Sequence, residues 1–195
     1  MLSSDVHVAF APDSTYRSLV ADRERVTAWR MLRRPLIVAL VIGTAVPIMA
    51  VQRVTLGLLA ASTLSFSFTV VIQLVVGVAV IASATSRRTT VTRAVDLWFA
   101  GHVPYSVWLL TVAAVFAAMP SASMDLLFVL AVIPAAWTGV IVAAFCRQVL
   151  GTSRGGARVR ATVHFLVVWA IAFELVALSA GGWFQVWAPI ARVFQ

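Results

Sequence analysis

Five stretches of this chain are apolar over close to the length a helix needs to cross hydrocarbon, roughly 20 residues. Together they take up about half of its 195 positions. They run over 36–50, from about 58 to 83, 98–119, 126–146 and 161–180. Backbone groups in lipid have no water to bond, so each such stretch must be a helix. The expected fold is therefore all-α: a polytopic integral membrane protein with five transmembrane helices. Composition agrees, with 62% hydrophobic and 11% charged residues and a mean hydropathy of +0.98. A soluble domain carries about 25% charged residues. Little chain remains for a soluble domain, and a dinucleotide-binding unit has no place to fit.

The formal charge of +8 would suggest nucleic acid in a soluble protein, but its distribution argues otherwise. All fifteen basic residues are Arg. Six precede the first apolar run, three lie between the second and third, and four between the fourth and fifth. Only Arg53 and Arg192 fall on the other side. Cytoplasmic positive charge orients membrane helices, which predicts a cytoplasmic N-terminus, an outside C-terminus and no nucleic-acid partner. The expected location is the bacterial cytoplasmic (inner) membrane, with no cleaved signal peptide, because the first apolar run starts only at Leu36.

The chain divides into a cytoplasmic segment 1–35, a membrane domain 36–181 and an outer tail 182–195. Residues 13–34 lack Gly and Pro, and Asp13 or Ser14 after Pro12 is a candidate helix N-cap. Tyr16, Leu19, Val26 and Trp29 recur at near-helical spacing, which fits an amphipathic surface helix or a solvated helical lead-in. In the tail, Trp183, Trp187, Ile190 and Phe194 form one apolar stripe, either an interface anchor or a surface for a partner protein.

Chemistry-bearing residues in the spans are few. Glu174 is the one acid well inside a span, and its natural partner is Arg53 at the outer end of the first hairpin. It serves either as a proton relay or as a packing tie. His102 and His164 sit near the same ends of the third and fifth spans and could meet. Two histidines fall short of the three or four ligands of a metal site. No catalytic residue, cofactor or metal is expected, since the nucleotide, protease and hydrolase motifs are all missing. Pro47, Pro104 and Pro134 put a kink-permitting residue in three spans. Ala135, Gly139 and Ala143 form a small-residue stripe suited to close helix packing.

Two local patterns carry a resemblance. One is the basic connection 86–95, Ser-Arg-Arg-Thr-Thr-Val-Thr-Arg-Ala-Val, followed by Val103-Pro104-Tyr105. The other is Trp137 leading to the connection 150–157, Leu-Gly-Thr-Ser-Arg-Gly-Gly-Ala. With the five-span layout they make residues 15 to 182 similar to the Yip family of five-pass membrane proteins, in its bacterial branch. The resemblance implies a non-enzymatic membrane factor. No GTPase-contact motif of the eukaryotic relatives is matched in residues 1 to 34. The expected function is helix packing with other membrane proteins or with itself, as scaffold, assembly factor or accessory subunit, in contact with the lipid bilayer. The alternative is a small transporter or channel using Glu174, with Thr44, Ser65, Ser67 or Gln73 along a polar path.

Overall fold

The computed structural model describes residues 2–22, 26–85, 88–119 and 124–179, excluding the side chains of 2, 3, 28, 124–131, 169 and 172–179. Among these residues there are helices and no strands. In chain order they are α1 (Leu2–Phe10), α2 (Pro12–Ala21), α3 (Ala28–Val51), α4 (Leu56–Ala82), α5 (Val91–Ala100), α6 (Val103–Ala118), α7 (Met124–Gln148) and α8 (Arg154–Ser179). Three segments are long and apolar enough to cross a membrane: Trp29–Val51, Leu56–Ala82 and Val91–Ala118. Val132–Gln148 is a shorter apolar helix. This is the architecture of a multi-pass membrane protein.

Five long helices close a ring in which each touches its neighbours: α3 on α4, α4 on α8, α8 on α7, α7 on α6 and α6 on α3. The short α5 packs against α3, α4 and α7, and every side chain from Arg93 to Ala100 is buried. A helix enclosed all round by protein is apolar on every face except where charges are paired. Outward surfaces are apolar too. Only 28% of the α4 window is buried, and Leu64, Val71 and Val75 point away from the bundle.

Threonine side chains start three of the helices. Thr27, Thr55 and Thr90 accept the backbone N–H groups of Arg30, Leu58 and Arg93, satisfying donors that a first helical turn leaves orphaned. At the other end of α4, Arg160 of α8 donates to the Ser83 carbonyl (2.9 Å) and hydroxyl (3.0 Å), tying two ring helices where α4 stops. Gln52, at φ 56°, closes α3 and turns the chain toward α4.

Several expectations change. The expected helix over 13–34 is interrupted: α2 stops at Ala21, and α3 has begun by Ala28, well before Leu36. Asp13 and Ser14 are not caps. Ala11 holds the N-cap position of α2, Pro12 fills the first turn, and the Asp13 carboxylate is engaged elsewhere. Tyr16 is fully buried while Trp29 is 67% exposed, so the two do not share a face. The third span is two helices rather than one, broken at Gly101 and His102. Pro104 therefore opens α6 instead of kinking a longer helix. The fifth span belongs to a helix that starts at Arg154. The tail, with Trp183, Trp187, Ile190 and Phe194, lies outside the described residues.

Candidate functional site

Where α1, α3 and α5 converge, four charges meet. Arg34 of α3 makes a two-pronged contact with Asp5 of α1, through Nε at 3.0 Å and Nη2 at 2.5 Å. Its Nη1 turns to Asp96 of α5, donating to the carboxylate and to the backbone carbonyl (3.1 Å). Asp96 also receives Arg93 Nη1 at 3.1 Å, one turn back on the same helix. Arg93 Nη2 then reaches the Leu19 carbonyl of α2 at 3.3 Å. Two cations and two anions thus cancel. Asp96 is fully buried, and the side chains of Arg34 and Arg93 are 5% and 6% exposed.

Sequence supplies this arrangement locally. Arg93 and Asp96 stand at i and i+3, so one face of α5 presents both signs. Planar guanidinium groups suit forked carboxylate contacts such as the one Arg34 makes with Asp5. Burying such charges is expensive unless every one is paired. The cluster therefore works as a lock: it closes only when α1, α2, α3 and α5 are all in place.

The N-terminal helices are held at further points. Tyr16 of α2 enters the bundle, donates to the Leu97 carbonyl (3.3 Å) and meets the Phe145 ring edge-on at 5.7 Å. Burial pushes its phenol above the ordinary value. Asp13 binds Arg147 through Nη2 at 2.6 Å and Nε at 3.3 Å, and Gln148 at 3.0 Å. The Arg147 hydrogen bond holds the Asp13 carboxyl below its ordinary value, against the opposing effect of partial burial. Trp137 Nε1 donates to the Ala9 carbonyl at the end of α1 (2.7 Å).

The structure brings His102 and His164 together. Both line a cavity of about 10 Å³, room for one water, with Tyr16, Trp98, Thr138 and Phe145. His164 shares a hydrogen bond with Gln73 (3.1 Å) and meets Trp98 edge-on at 4.9 Å; His102 stacks on Phe99 at 4.9 Å. Neither His102 ring nitrogen has a well-formed hydrogen bond. Among the described residues no three His, Cys, Asp or Glu side chains converge as metal ligands. Arg53 is exposed in the 52–55 turn, and the Glu174 side chain lies outside the described residues, so their pairing stays an expectation.

The small-residue stripe is only partly a contact. Ala135 is buried and Ala143 packs on the core, but a Cβ at Gly139 would meet nothing within 4 Å. The close approaches lie elsewhere. Gly77 admits the Trp98 indole, whose Nε1 would stand 2.6 Å from a Cβ there. Gly101 admits Ile141 (2.8 Å) and the Tyr16 hydroxyl (3.1 Å). The charge lock was missed because Arg34 and Arg93 count toward the basic side and Asp96 looks like a span's polar edge. The Arg93-x-x-Asp96 spacing signals a pair within α5, but nothing local points to Asp5 or Arg34 as its partners. No family model, curated protein or solved structure matches the chain.

Proposed function

We propose that the chain is a non-enzymatic integral membrane protein that acts by helix packing with other membrane proteins, as a scaffold, assembly factor or accessory subunit. It crosses the bacterial cytoplasmic membrane five times, on α3, α4, α5 with α6, α7 and α8, with its N-terminus in the cytoplasm. The Arg distribution supports that orientation, and the local likeness to the Yip family supports a role without catalysis. One observation carries the reading: α5 is buried from Arg93 to Ala100 against α3, α4 and α7, and its charges are taken up in ties to α1, α2 and α3. Buried charge spent on fixing helices to one another serves a rigid packing unit rather than a path for cargo. A rigid unit with broad apolar flanks presents a fixed surface to neighbours in the bilayer.

Purification of tagged protein from its native membrane in mild detergent, with mass spectrometry of co-purifying proteins, tests this. A defined set of stoichiometric companions is the expected result. A clean homo-oligomer without companions, together with ion or solute flux in reconstituted vesicles, overturns it.

A further inference from the structure

The N-terminal helix has a face that its neighbours leave open. Val8 and Ala9 of α1 are buried against the bundle, whereas Val6 and Phe10, one helical turn apart, are 43% and 74% exposed. Phe10 does not stand alone: its ring meets Trp137 of α7 edge-on at 5.7 Å. Around Trp137 the outward face of α7 carries Val132, Ile133 and Val140, each more than half exposed. The Phe10–Trp137 contact thus joins Val6 and Phe10 to this apolar face of α7, with exposed His7 at the edge of the α1 face.

Depth is the second consideration. Trp137 lies eleven residues before Gln148, or ~16 Å along the helix at 1.5 Å per residue. Arg147, with its Asp13 partner, marks the polar end of α7. The end of α1 is therefore set well above that polar end, beside the apolar part of α7. Third, the last carbonyls of any helix lack partners within it and ordinarily turn to water. At the end of α1 one of them, Ala9, is capped instead by the Trp137 indole at 2.7 Å, and His7 by the Ala11 N–H at 2.8 Å. Such internal capping is what a helix end requires where water is absent.

We infer that α1 is a membrane-embedded helix whose Val6 and Phe10 face is covered by lipid acyl chains, continuous with the lipid-facing surface of α7. It is an in-plane anchor rather than a span, since nine residues reach less than half the ~30 Å of hydrocarbon. The inference rests on the reading of α7 as a membrane span.

The photocrosslinking amino acid p-benzoylphenylalanine at position 10, and separately at 6, tests it in the full chain in its own membrane. A third variant at Val140 serves as reference for lipid contact. Because the replacement at 10 is aromatic and the site is exposed, the helix is expected to fold. After irradiation, a phospholipid adduct on the tryptic peptide ending at Arg17, at a yield comparable with that at Val140, is the expected result. A crosslink to a second copy or to another protein overturns the inference, as does no adduct at 6 and 10 while Val140 labels lipid. Failure at Val140 as well defeats the membrane reading of α7, and the inference with it.

Discussion

Replacing Asp96 with Asn removes one negative charge from the centre of the lock and leaves the shape almost unchanged. In the native protein Asp96 stands between Arg34 and Arg93 with no exposed surface. After the change Arg34 keeps Asp5, but the single amide oxygen at 96 can accept from only one of the two guanidinium groups, and the cluster carries an uncompensated positive charge. Leaving one member of a buried pair unmatched costs about 3–5 kcal/mol. For a chain of this size each kcal/mol moves the midpoint by about 2–4 °C, so the variant should melt roughly 6–20 °C lower. The assay is thermal loss of the monodisperse peak in detergent. Arg93→Met in the same chain removes the stranded charge and should recover more than half of the loss, whereas Arg53→Met, at an exposed turn, should recover none. A variant that melts within error of the native protein, or that both changes rescue equally, would refute the claim that these charges hold the helices together.

Three further outcomes follow from other contacts in the bundle. The folded-state value of Asp13 is depressed, so its contribution is present above the ordinary carboxylate value near 3.9 and is lost as pH falls through the lower, folded value. Because the Asp13 side chain is 46% exposed, the pair with Arg147 is worth only about 0.2–1 kcal/mol, and Asp13→Asn should lower stability by that amount at pH 7 and flatten the acid limb of the profile, the two proteins converging at low pH. Gly77→Ala should destabilise by about 1–3 kcal/mol, because the new methyl meets the Trp98 indole on an enclosed side. Gly139→Ala, facing open space, should be neutral or raise the midpoint through better helix propensity; equal loss at both sites in a thermal-shift measurement would count against this account.

The long apolar helices were legible in the sequence because a run such as Leu56–Ala82 leaves no alternative in lipid. Helix ends were less so. α3 and α8 extend through polar residues, Arg30 to Arg34 and Arg154 to Arg160, which hydropathy assigns to loops. The break at Gly101 was hidden because both halves of that span are apolar, and only the close approach of Ile141 and Tyr16 requires Gly there. For the site, the nearness of His102 and His164 could be anticipated, since both lie near the same end of their spans. The lock could not: Asp5 and Asp96 are 91 positions apart, and no local pattern tells an acid that will cross to another helix from one that stays in solvent.

The contact between Asp13 and Arg147 spans 134 positions, which sets an order of events during synthesis. At about 5–20 residues per second, the ribosome needs roughly 7–27 s to go from one to the other. Throughout that interval α1 and α2 exist without α7, which they are built to grip. α1 and α2 are thus made well before α7 and find their seat only after it, and whatever attends the nascent chain must shield Tyr16 until the fourth long helix has arrived.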